Sequence, residues 1–200
     1  MVYVIDSVVG GGKSTLANKI HKKLNKKFYE ELSNEDTYIL LEKFYQNQKR
    51  WSFTLQIHFL NERFKMIKEI HKNGGGILDR SIFGDRIFAE LLHEDGMMTK
   101  EEFNTYNTLL DNMLEHSKNP NLLIYIDCDV DTAIERIKNR NRKMELKVPR
   151  GYWERLNKKY DEWYYNYDIS NKIKIDAKSY HPDNEEDINE IVKIIKNNVK

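Results

Sequence analysis

Val2-Tyr3-Val4-Ile5-Asp6-Ser7-Val8-Val9-Gly10-Gly11-Gly12-Lys13-Ser14-Thr15 is the stretch that decides the fold. Residues 2–6 form a short β-rich run, the glycines follow at once, and Leu16, Ile20 and Leu24 then recur at helical spacing. Strand, glycine loop and helix in that order are the setting of a phosphate-binding P-loop, here residues 7–15. Backbone N–H groups through Gly10, Gly11 and Gly12 can turn inward onto an anion, and the helix start adds partial positive charge. Lys13 is placed to reach the β- and γ-phosphates of a triphosphate, the Ser14 hydroxyl to ligand Mg²⁺, and Thr15 completes the segment. The pattern G-x-x-x-x-G-K-[ST] breaks at its first glycine, which is Ser7; a serine fits there only with negative φ or a redrawn turn. The plain alternative is a glycine-rich turn with an incidental lysine, and the flanking strand and helix argue against it.

Outward from this loop, apolar runs at 76–78, 122–126 and 173–175 each end at or just before an aspartate: Asp79, Asp127 and Asp176. Helical stretches are expected at 51–73, 100–117, 131–139, 152–166 and 185–198. The alternation predicts an α/β fold, a parallel sheet with helices on both faces and ligands at the strands' carboxyl ends. A chain of 200 residues with 40% hydrophobic residues suits one domain with one core. A net charge of +1 leaves no global field for a nucleic-acid polymer or an acidic membrane, so phosphate binding has to be local. No apolar run approaches the ~20 residues that span a bilayer. The single cysteine, Cys128, cannot form an internal disulfide, and Met1 leads into apolar residues with no basic leader. A reducing, cytoplasmic setting is the expectation.

Gln56 and Arg63 stand seven residues apart and share one helix face, where an amide can pair with a base edge and a guanidinium can brace it. Trp51, Phe53 and Phe59 nearby are either base-stacking aromatics or core; a solvated face carrying a glutamine and an arginine is the bland reading. Asp79 and Arg80 follow a strand end, where the acid can hold Mg²⁺ through water and the arginine can neutralise a transferring phosphoryl group. A buried Asp–Arg pair without a ligand is the alternative. Arg136, Arg140 and Arg142 recur after the 122–127 segment, and their guanidinium forks suit phosphate oxygens. Lys138 and Lys143 read as solvated charges, as does Glu42.

Together these blocks resemble the deoxynucleoside kinase family, close to its bacterial deoxyadenosine and deoxyguanosine kinases. The resemblance rests on the P-loop, on 50–60, on Asp79-Arg80-Ser81-Ile82-Phe83-Gly84-Asp85, on the arginines 136–142 and on Tyr160-Asp161-Glu162-Trp163, so it covers nearly the whole chain. It implies a three-layer P-loop kinase fold and transfer of the γ-phosphoryl group of ATP to a deoxynucleoside 5′-hydroxyl, with Mg²⁺. It further implies that Arg80 touches the 5′-oxygen and that Asp85 pairs with Arg63 to read the base. The lid over ATP would span about 136–148. Glu145 and Tyr45 would share the sugar 3′-hydroxyl, although Met144 replaces an acid usual in relatives. The general base is expected at the end of the second strand, before a proline. Glu31 is the better match, with Leu32 in the proline's place, and Glu30 stands as the alternative. The retained Arg–Asp pair implies a purine deoxynucleoside, with deoxycytidine secondary and thymidine poor. A homodimer built on the 51–73 or 100–117 helices is also implied. Two rivals stand beside this reading: a nucleoside monophosphate kinase, and a catalytically weakened nucleotide-binding regulator. No N-K-x-D motif supports a G-protein-like switch.

Overall fold

The computed structural model describes residues 1–31, 34–142 and 144–199. Leu32 and Lys143, discussed above, lie outside the described residues. Among the described residues five strands form one parallel sheet in the order β2-β3-β1-β4-β5. They are β1 (Val2–Asp6), β2 (Phe28–Tyr29), β3 (Gly76–Asp79), β4 (Leu122–Asp127) and β5 (Asn171–Asp176). The helices are α1 (Lys13–Lys23), α2 (Glu35–Gln46), α3 (Gln48–Lys72), α4 (Arg86–Glu94), α5 (Lys100–Glu115), α6 (Val130–Arg140), α7 (Arg150–Asn166) and α8 (Glu185–Asn197).

Alternation along β1 explains the layering. Tyr3 and Ile5 face a cluster with Leu16, Ile20, Leu156, Tyr160 and Ile191, whereas Val2 and Val4 face Leu60, Ile70, Tyr106 and Leu123 on the other side. Side chains of one strand point to opposite faces, so an almost wholly apolar β1 demands cover from helices on both. This is the three-layer α/β arrangement expected from the sequence. β1 lies between β3 and β4, where the chain leaves first toward one edge and later toward the other, so the loop after β1 opens at the switch point of the sheet.

Helix boundaries differ from expectation where caps act. Asn47 starts α3 at Gln48 rather than Trp51, its side chain accepting from the Arg50 N–H. Asn34 caps α2 in the same way through the Asp36 N–H. α2 and α4 stand beyond the helices expected from the sequence: the 12-residue α2 buries only Thr37 and Phe44, and the 9-residue α4 is short for a periodic pattern.

Candidate active site

The site begins with the loop leaving β1. Gly10 and Gly12 have φ of 82° and 93°, and a methyl group on Gly10 would stand 2.5 Å from the Ala133 carbonyl oxygen of α6. Only glycine meets both conditions. Ser7 is fully buried without positive φ, and its hydroxyl donates to the Ile126 carbonyl at 2.6 Å, so the serine that departs from the motif is absorbed by a bond to β4. Lys13 is buried at the start of α1 and lines the main pocket together with Gly10 and Ser14. The Ser14 hydroxyl donates to Asp79 at the end of β3. Thr15 is exposed and lies outside the pocket lining.

Behind this loop runs a chain of alternating charges. Asp6 accepts from Arg80 Nη1 at 3.3 Å, Arg80 Nε reaches Glu31 at 3.2 Å, Glu31 pairs with Arg63, and Arg63 Nη1 lies 2.5 Å from Asp85. Arg80 sits at φ 66°, a left-handed conformation that costs a non-glycine residue about 1–2 kcal/mol. Its guanidinium carbon lies 4.9 Å over the Phe88 ring. Burial alone would raise the Glu31 carboxyl, but Arg80, Arg63 and Lys13 outweigh it and bring it down to about 2. Asp85 is pushed up to about 6 by burial, against the pull of Arg63. Burial would favour neutral Arg63, yet Asp85 and Glu31 hold it firmly charged. Burial lowers Lys13, and the adjacent Arg80 adds to that. Glu30 lines the pocket too but is exposed and takes no part in the charge chain.

Gln56 and Arg63 are both buried on the inner face of α3, which rules out the solvated-face reading. Phe59 lines the pocket and carries Arg63 over its ring at 4.8 Å. Trp51 and Phe53 do not line it: both pack in the core of the α2–α3 layer, and Lys43 and Arg50 cover the Trp51 ring. Of the two readings open for these aromatics, packing in the core therefore holds for Trp51 and Phe53.

Over the mouth, Glu145 is buried and paired with Arg140 and, at 3.5 Å, with Arg142. Tyr45 faces the same group; burial and the Glu145 charge push its hydroxyl well above the usual range. Arg136 does not belong with these lid residues. From α6 it donates to the carbonyls of Gly11 and Ala177, each at 3.1 Å, and so braces the P-loop from outside the pocket. Lys138 and Glu42 are exposed, as expected.

Sequence reasoning missed Asp6, Phe88, Tyr152 and Trp153. Asp6 had a signal, an acid ending an apolar strand just before the loop; the others enter the pocket only through packing of α4 and α7. As for a metal, Asp79 Oδ1 is buried without a hydrogen bond beside the Ser14 hydroxyl. One carboxylate and one hydroxyl suit Mg²⁺ held mainly by phosphates and water. Among the described residues no three His, Cys, Asp or Glu side chains gather as an all-protein metal cage.

A parallel sheet with a P-loop at its switch point, an acid at the end of β3 and arginines over the mouth define a P-loop phosphotransferase. The family model for deoxynucleoside kinases matches residues 3–200, and the chain belongs to that family. The deoxyadenosine/deoxycytidine kinase of Bacillus subtilis (strain 168) is 36% identical over 208 residues, covering 100% of this chain and 95% of the relative. The deoxyguanosine kinase of Lactobacillus johnsonii is 36% identical over 210 residues, covering 98% and 92%. A structure of deoxyadenosine kinase from M. mycoides with bound dCTP superposes with a TM-score of 0.83 at 32% identity, covering 98% of this chain and 100% of the other. A second, with bound dATP, gives 0.82 at 31%. This chain is thus an enzyme that phosphorylates deoxynucleosides, which sets aside the monophosphate-kinase and regulator readings.

Proposed function

We propose that the enzyme moves the γ-phosphoryl group of ATP to the 5′-hydroxyl of a purine deoxynucleoside, deoxyadenosine or deoxyguanosine, with deoxycytidine secondary. The observation that carries this reading is the buried Arg63–Asp85 pair beneath Gln56. An amide alone suits adenine, guanine or cytosine, so discrimination falls to the pair below it. Buried polar groups left without their partners cost about 1–3 kcal/mol each, enough to reject a poorly matched base. Relatives named for deoxyadenosine, deoxyguanosine and deoxycytidine support the same range.

In this reading Glu31 orients the 5′-hydroxyl and accepts its proton as the oxygen attacks. Its low pKa suits a late proton transfer, in keeping with the loose transition state of phosphoryl transfer. Arg80 and Lys13 stabilise the transferring group, and Arg140 and Arg142 turn from Glu145 to the phosphates, which frees Glu145 to join Tyr45 on the sugar 3′-hydroxyl. Ser14 and Asp79 would hold Mg²⁺, which supplies charge neutralisation between the β- and γ-phosphates. The P-loop backbone of Gly10, Gly11, Gly12 and Thr15 cradles the donor, with Arg136 keeping that loop in place. We place the enzyme in the cytoplasm as a single catalytic domain; among the described residues no helix is long and apolar enough to cross a membrane.

A coupled assay over the four deoxynucleosides and their ribonucleoside counterparts tests the assignment. The purine deoxynucleosides should show the highest kcat/KM and thymidine the lowest. Thymidine as the best substrate would sink the base assignment and leave the kinase activity standing.

A further inference from the structure

Asp6 is fully buried at the end of β1, directly before the P-loop, and the mechanism above gives it no task. Its Oδ1 accepts from the Ser7 N–H at 2.9 Å, from the Tyr160 hydroxyl at 3.2 Å and from Arg80 Nη1 at 3.3 Å. Its Oδ2 has no hydrogen-bond partner and faces Gly84, where a methyl group would approach within 3.1 Å. A buried, half-satisfied carboxylate is expensive, and it persists only beside a charge that compensates it. That charge is Arg80, which Asp6 grips from behind while Glu31 holds it from the pocket side at 3.2 Å. The Arg80 backbone is left-handed, so its side chain leaves the chain in a direction an ordinary β conformation would not give.

We propose that Asp6 is a positioning residue for phosphoryl transfer: it shares the Arg80 guanidinium with Glu31, Nη1 to Asp6 and Nε to Glu31, and so fixes it at the phosphate end of the pocket instead of leaving it to Glu31 alone. The proposal rests on the role given to Arg80 above. Two carboxylates on opposite sides of one guanidinium oppose each other's pull. Without the Asp6 charge Arg80 is drawn toward Glu31 alone, which displaces the group meant for the phosphoryl oxygens and ties up the group meant for the hydroxyl. Both effects fall mainly on the transfer step, because Arg63 feels the shift only through Glu31 and keeps its Asp85 partner beneath Gln56.

Asp6→Asn keeps the shape and the Ser7 and Tyr160 contacts while removing the charge. We expect kcat to fall roughly 10²-fold, the scale of a misplacement of about 1 Å, with KM for the deoxynucleoside nearly unchanged. A merely structural residue would move KM, kcat and the melting temperature together. The same change made in an Arg80→Gln enzyme should cost no more than about twofold further, since Asp6 acts through Arg80. An unchanged kcat in Asp6→Asn, or an equal proportional loss in both backgrounds, overturns the proposal. Wild-type turnover by Arg80→Gln alone removes the role of Arg80 itself and the proposal with it. If Asp6→Asn does not fold, the double variant decides: with neither member of the pair present it should fold and melt cooperatively, and its failure to do so overturns the pairing.

Discussion

Asp85 is the residue whose protonation falls inside the working range of an ordinary assay. Burial pushes its carboxyl up to about 6, so above that pH it is a carboxylate paired with Arg63 and below it an acid. The sign follows directly. As pH falls through about 6, Arg63 loses one of its two carboxylate partners, Glu31 becomes the only one, and the base-reading arrangement loosens. KM for a purine deoxynucleoside should therefore rise between pH 7.5 and 5.5, and Asp85→Asn should flatten that rise. An identical KM profile in the variant would show that another group titrates. Gln56 and Arg63 could be read from sequence because the seven-residue spacing fixes a shared helix face whatever the fold around it. Asp6 stood out only as an acid at the end of an apolar strand; its link to Arg80, 74 residues away in the chain, was not legible.

Among the elements, β2 matters most for its size. It has only two residues, and the choice between Glu30 and Glu31 as base depends on where it ends. Pairing of Phe28 with Ile77 and Tyr29 with Leu78 sets the register, which leaves Glu31 inside with both arginines and Glu30 at the rim. Glu31→Gln should cut kcat by roughly 10²–10⁴ while nucleoside binding persists, and Glu30→Gln should leave kcat near wild type. The larger loss in Glu30→Gln would mean that the strand is shifted by one residue in the working enzyme. The long strands and helices were legible because their periodicity spans several turns or a full sheet width. α4 was not, because nine residues offer too few repeats to separate a pattern from chance, nor was α2, whose 12 residues bury only Thr37 and Phe44 and so carry almost no apolar repeat. The pocket walls they supply, Tyr38, Phe44 and Phe88 among them, were hidden for the same reason.

At the scale of the whole molecule, α3 and α5 pack against each other and keep Ile57, Phe64, Leu109 and Met113 only half-buried. Apolar residues left in this state along two adjacent helices support the homodimer expected from the family resemblance. Sedimentation equilibrium at micromolar concentration should return twice the chain mass, and a monomer across that range would remove the expectation. The three-layer architecture was legible in the strand and helix order alone, whereas half-buried apolar residues on two helices carry no periodicity that would mark a contact between copies in the sequence.

The buried charges at the pocket floor have a consequence for how the two substrates are received. Asp6, Glu31, Asp79 and Asp85 stand against Lys13, Arg63 and Arg80, so with all of them ionised the acids outnumber the cations. In counter-ion terms the floor is nearly saturated: Arg63 and Arg80 each hold two acids, and Lys13 is left with no ion pair among the described residues. An uncharged nucleoside entering this pocket meets paired dipoles and loses little by displacing water from them. A triphosphate meets Lys13 and a guanidinium, Arg80, already shared between two acids, so most of its compensation has to come from above, through Arg140 and Arg142, or travel in with it. The molecule thus admits its acceptor as a neutral guest and its donor as an anion whose charge is balanced for the most part from outside the floor.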